Sequence, residues 1–142
     1  MQQTAQSPKR SQLCYCINVR RAANRITDFY DRLLHPFGIS INQFCILNNL
    51  SMMSGCGTGE LANQLQLEKS TLVRSLKPLQ EVGYVEDTSA PGSRSRQLRL
   101  TRKGEYILAQ AKPSWEAAQK QVKAKLGSDH LRTLMGLLDE LE

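Results

Sequence analysis

Apolar residues recur at helical spacing through Ala22, Ile26, Phe29, Tyr30, Leu33, Leu34 and Phe37, with Arg20, Arg21, Arg25 and Arg32 between them. That spacing predicts a long amphipathic helix over residues 11–37. Pro36 and Gly38 end it, and Ser40 with Gln43 forms the capping-box pattern that opens a second helix bearing Phe44, Leu47 and Leu50. Beyond the break at 54–57, Thr58 is placed to cap a third helix over 59–65, with Leu61, Ala62 and Leu65 inward. A turn at 66–68 leads into a segment, 69–82, that sets Leu72, Leu76 and Leu79 on one face and Ser70, Arg74 and Lys77 on the other, with Gly83 as its stop. Two short helices joined tightly, the second polar outward, predict a helix-turn-helix. Pro78 inside the second helix removes a backbone hydrogen bond at a cost of ~3 kcal/mol, so a bend is expected near Arg74.

After Gly83 the periodicity changes from helical to extended. Residues 84–88 and 97–100 predict two short strands, joined by a Pro- and Gly-bearing loop that projects as a wing. Thr101 caps a further long helix through Tyr106, Ile107, Trp115 and Val122, which Pro113 is expected to bend or divide. Past Gly127 a last helix carries Leu131, Leu134, Leu137, Leu138 and Leu141 as a stripe with too few partners in one chain, so a second subunit is expected to cover it. The predicted class is mainly α with a small β-hairpin: a winged helix-turn-helix on a helical dimerisation platform. Its 142 residues make one unit, with the winged region at 40–102 and the platform at 11–37 and 103–142.

Charge narrows the choice of partner. Lysine and arginine number 19 against 13 acidic residues, a net charge of +6, which favours a polyanion and nucleic acid before an anionic membrane. From Thr88 to Lys103 there are five basic residues and no acidic one, concentrated where the hairpin projects. No apolar run approaches a membrane span and the opening residues are too polar for a secretory signal, so a cytoplasmic protein is expected, with Cys14, Cys16, Cys45 and Cys56 as free thiols. Cys14 and Cys16 point to roughly opposite helix faces, which argues against a shared metal. His35 and His130 lack ligand spacing, and no nucleophile pair is recognisable. No catalytic residues, cofactor or metal are therefore expected.

The order helix, helix, Gly59-Glu-Leu-Ala62, the run Ser70 to Leu76, Gly83 with Tyr84 and Val85, basic hairpin, then Leu100-Thr101 and Gly104, resembles the multiple-antibiotic-resistance regulator (MarR) family from about residue 11 onward. The resemblance implies a homodimer whose first and last two helices form the platform and whose winged helices grip a pseudo-palindromic operator on double-stranded DNA. It also implies repression relieved by a small aromatic ligand or an oxidant, with the effector pocket between the platform and the winged unit. The family pattern has an acid two residues before the wing arginine. Here Gly92 stands there while Arg94 remains, so the resemblance does not carry the usual bracing ion pair over to this chain.

Taken alone, the polar side of 69–82 is the ordinary solvated face of a helix. Its place in a helix-turn-helix turns the reading toward DNA through Lys69, Ser70, Thr71, Arg74, Ser75 and Lys77. Arg74 is the specificity candidate, able to pair with guanine O6 and N7, while Lys77, Ser70 and Thr71 suit phosphates. At the hairpin, Arg94 and Arg96 can reach a minor groove or backbone, whereas Arg99 either does the same or braces its strand. The region through Tyr30 looks like the organic-hydroperoxide-sensing branch, whose reactive cysteine falls on Cys16. Tyr30 matches one of that branch's tyrosine partners, Arg20 stands at the other, and Cys14 is a candidate second thiol. A small packed cysteine is the competing reading of Cys16. Cys45 reads as packing, Cys56 as a loop residue, and Trp115 and Tyr106 as fillers of the dimer core. Two other classes remain open: a winged-helix protein-interaction module, and a thiol peroxidase, for which no partner pair is evident.

Overall fold

The computed structural model describes residues 14–53 and 55–142. In chain order the elements are α1 (Tyr15–Leu34), a 3-10 turn (His35–Phe37), α2 (Ile41–Ser51), α3 (Thr58–Leu65), α4 (Lys69–Glu81), β1 (Val85–Asp87), β2 (Leu98–Leu100), α5 (Arg102–Leu126) and α6 (Ser128–Asp139). The first helix is shorter than expected at both ends. Residues 11–13 lie outside the described residues, and Pro36 closes the helix into the 3-10 turn, which Gly38 ends in the left-handed region at φ +71°.

The capping box forms as its spacing predicts. Ser40 Oγ accepts from Gln43 N at 3.2 Å and Gln43 Oε1 accepts from Ser40 N at 2.9 Å. Asp31 Oδ1 accepts from Ile41 N at 2.7 Å, fixing the angle at which α1 hands over to α2. Two other local expectations are corrected. Gly57, not Thr58, is the N-cap of α3, and Cys56 is not a loop residue. Cys56 is buried and bridges Leu98, with Cys56 N donating to Leu98 O at 3.2 Å and Leu98 N to Cys56 O at 2.8 Å. That pairing holds the chain extended up to Gly57, so Thr58 is already helical and its hydroxyl caps nothing.

The core sits where α2, α3, α4 and the hairpin meet. Phe44, Leu47, Leu50, Leu61, Leu72, Leu79, Val85 and Leu98 are buried there. Trp115 belongs to this core rather than to a dimer core, since its ring stacks on Phe44 at 5.3 Å and 20°. The prolines behave more mildly than expected. Helix α5 runs undivided through Pro113 and α4 runs unbroken through Pro78. Both prolines are exposed, and so are Arg74 and Ala109, four residues before them, so water reaches the carbonyls that lose a donor.

Outside the core much apolar surface has no partner among the described residues. Ala22 and Ile26 on α1 are exposed, and only Leu34 of that helix is fully buried. Helix α6 has no buried residue at all, with Leu134, Met135, Leu137, Leu138 and Leu141 exposed. Among the described residues no helix is long and apolar enough to cross a membrane.

Candidate nucleic-acid interface

Helix α4 owes its presentation to the turn before it. Gln66 takes the left-handed conformation, φ 51°, and Leu67 N donates back to Ala62 O at 3.0 Å, which turns the chain sharply out of α3. Leu72, Leu76 and Leu79 then face the core. The opposite side forms an open groove lined by Lys69, Ser70, Val73, Arg74, Lys77 and Glu81. Thr71 and Ser75, expected on the same face, are half-buried on its flank. Ser75 O accepts from Gln43 Nε2 at 3.3 Å, so this residue ties α4 to α2. Val73 was not singled out by charge and motif, yet it is 49% exposed beside Ser70 and Lys77.

A latch joins the end of α4 to the start of α5. Thr101 N donates to Tyr84 O at 3.0 Å, and Thr101 Oγ1 lies 2.6 Å from Gly83 O while accepting from Gly104 N at 3.0 Å. Lys103 Nζ donates to Val82 O at 2.7 Å and lies over the Tyr84 ring at 5.5 Å, so this cation caps the carbonyl end of α4. Gly104 makes the closeness possible. A Cβ there would stand 2.2 Å from Tyr84 O and 2.7 Å from Leu100 Cδ1.

The hairpin pairs antiparallel, with Val85 opposite Leu100, Glu86 opposite Arg99 and Asp87 opposite Leu98. Its brace is not at the tip. Gly92 has φ +78°, a conformation that disfavours an acidic side chain there. Instead Asp87 at the hairpin base gathers the loop. Its Oδ1 accepts from Ser89 N and Gln97 N, each at 3.0 Å, and its Oδ2 from Arg96 Nη1 at 2.9 Å. Hydrogen bonds from the Ser89 and Gln97 amides, with the Arg96 guanidinium after them, hold the Asp87 carboxyl well below the usual carboxylate range. Thus Arg96, expected at DNA, also makes the brace considered for Arg99, and it stays exposed, as do Arg94 and Arg99. The readable sign was the Asp-x-Ser turn pattern at 87–89.

The thiols fall in two places. Cys16 is exposed on α1, and Cys14 precedes the helix without a side-chain cap. Tyr30 is 14 residues further along the same helix, a rise of ~21 Å, so the expected Cys16–Tyr30 meeting is not made within one chain. Tyr30 OH donates instead to Gln119 Oε1 on α5. Burial, with Cys45 nearby, pushes the Tyr30 hydroxyl up, and burial pushes the Cys45 thiol up as well. Between α1 and α5 lies a groove of about 1060 Å³ lined in part by Arg25, Ile26, Phe29, Arg32, Val122 and Lys125. No group of three or more His, Cys, Asp or Glu able to hold a metal occurs among the described residues.

Comparison with known proteins agrees with this geometry. The MarR family model matches residues 37–94. The structure is similar to the transcriptional regulator MosR of M. tuberculosis in complex with DNA, at 32% identity and TM-score 0.78, covering 90% of this chain and 95% of that one. It is similar also to the transcriptional repressor CouR bound to p-coumaroyl-CoA, at 25% identity and TM-score 0.80, covering 95% and 97% of the two chains. In sequence it is 22% identical over 108 residues to the HTH-type transcriptional regulator BilQ of Clostridioides difficile, covering 75% of this chain and 73% of BilQ. With the family model matched across the helix-turn-helix and the first hairpin strand, and the MosR likeness running through nearly the whole chain, the protein belongs to the MarR family.

Proposed function

We propose that the chain is a sequence-specific DNA-binding transcriptional regulator that acts as a homodimer. The observation that carries this is the exposed basic side of α4 beside a hairpin whose loop and second strand, residues 88–103, hold five basic residues and no acid, on a fold matched over 90% of its length by MosR in complex with DNA. In this reading α4 enters the major groove. Arg74 reads a base edge, and Lys69, Ser70 and Lys77 hold phosphates with Thr71 at their flank. Arg94 reaches the adjacent minor groove or backbone, and Arg96 adds positive potential while bracing the loop. The winged region spans 40–102. The uncovered faces of α1 and α6, with α5, pair two chains through 11–37 and 103–142. Paired recognition helices then address half-sites of a pseudo-palindrome about one DNA turn apart, ~34 Å.

Nothing in this reading requires a catalytic residue. The regulator represses by occupying its operator and is released by an effector that favours a different dimer geometry. CouR, which is bound to p-coumaroyl-CoA, supports a small-molecule effector, and exposed Cys16 leaves thiol oxidation as the other input. Since Tyr30 lies a helix length from Cys16 in one chain, a pairing of the two would have to cross the subunit interface.

The test is selection from random duplexes at two salt concentrations. A palindrome enriched with strong salt dependence is the expected result. No enrichment, with no recovery at low salt, would replace this reading with a protein-interaction module.

A further inference from the structure

The outer side of α4 carries two apolar residues, Pro78 toward its C-terminal end and Val73 in its middle, and only Val73 is framed by cations one turn to either side. Val73 is 49% exposed, although Leu72, Leu76 and Leu79 on the same helix are buried. Its place is not the edge of the core, because it lines the same open groove as Lys69, Ser70, Arg74 and Lys77. Lys69 and Lys77 stand one turn before and after it on the helix surface, and Ser70 lies three residues back. A branched apolar group framed by two cations is poorly matched to water and poorly matched to phosphate. The major groove has one apolar feature at the depth of base edges, the 5-methyl group of thymine.

We infer that Val73 is a specificity-determining residue that packs on a thymine methyl in each half-site. This rests on the DNA-binding reading above and deepens it. With Arg74 next in sequence pointing 100° further round the helix, the two side chains address neighbouring base pairs, one by apolar contact and one by hydrogen bonds. Cytosine and uracil lack the methyl, so the loss on replacing thymine with uracil reports the contact alone.

The experiment uses the full chain and the operator recovered by selection, with each thymine of a half-site replaced in turn by deoxyuridine, which keeps the pairing edge and removes only the methyl. For the natural sequence, one position should weaken binding by about fourfold, the value of one apolar carbon taken from water. For Val73→Ala, whose fold is checked by circular dichroism, the thymine and uracil duplexes should bind equally at that position. Val73→Thr, which keeps one methyl, should retain part of the difference. Indifference of the natural protein to every replacement would overturn the inference while leaving DNA recognition intact. So would a methyl effect that persists in Val73→Ala. Failure of the folded protein to retain any duplex would instead overturn the DNA-binding reading itself.

Discussion

Replacing Gly104 by alanine sets two opposite effects against each other. Alanine is the better helix former by about 1 kcal/mol, so in an ordinary helix the change would stabilise. Here the new Cβ would stand 2.2 Å from Tyr84 O, 3.0 Å from Tyr84 C and 2.7 Å from Leu100 Cδ1. Two of those three atoms are backbone, so no rotamer change relieves the clash. The start of α5 must move off the hairpin. That movement strains the Thr101 latch, whose cap alone is worth ~1 kcal/mol, on top of the ~1–3 kcal/mol cost of overpacking. Weighed against the propensity gain, the net loss is about 2 kcal/mol, or roughly 4–8 °C in Tm for a chain of this size. Urea and thermal unfolding at fixed protein concentration would measure it, because a dimer's midpoint moves with concentration. A gain of about 1 kcal/mol, the propensity effect alone, would refute the claim that α5 is pressed against the end of the recognition helix.

Three further outcomes follow from the site and the uncovered faces. Arg74→Ala should relax base preference at one operator position, at a cost of ~1–3 kcal/mol, whereas Lys77→Ala should weaken all sequences alike and lower the salt slope by about one; quantitative binding at several salt concentrations separates the two. Asp87→Ala should make the 88–97 loop sensitive to limited proteolysis while leaving helical circular dichroism unchanged. Because the folded Asp87 pKa is depressed, its contribution is fully present above its unfolded pKa of about 4 and disappears only as pH falls below that value, so loop order should be constant from pH 5 to 8. Leu137→Asp on α6, where leucine is 54% exposed in the single chain, should leave the winged core folded and shift sedimentation toward the monomer. An unchanged dimer would show that this face is not the interface.

Regular elements were legible because burial imposes a period. The helices and strands fall within a few residues of their predicted limits, and Leu72, Leu76 and Leu79 face inward with Arg74 and Lys77 outward, as spacing requires. What escaped depends on one residue meeting another far away in sequence. Cys56 pairs with Leu98 across 42 positions as a single bridge, which is too short to leave an alternating pattern. The Gly57 cap follows from that bridge, so Thr58 misled. Trp115 stacks on Phe44 from another helix, which periodicity within α5 does not report. The wing brace escaped because the expected acid is absent at Gly92 and its replacement lies at Asp87, on the other side of a loop. Val73 was passed over because charge was the criterion for the site, and an apolar residue at an exposed position becomes visible only once burial is known.

The placement of α5 decides how an event far from α4 can reach it. Its N-terminus is latched to Gly83 and Tyr84 at the end of the recognition helix, and Lys103 caps that helix's carbonyl end. Its middle is fixed to the winged core by the Trp115–Phe44 stack and to α1 by the Tyr30–Gln119 hydrogen bond. Its C-terminal part, with Val122 and Lys125, walls the groove shared with α1. One continuous helix spans all three regions, so α5 is the direct physical path by which a change in the angle between α1 and α5 would reach α4. Two half-sites at a fixed spacing tolerate little such movement. If an effector of the proposed kind occupies that groove, its leverage on DNA affinity equals its difference in affinity between the two arrangements.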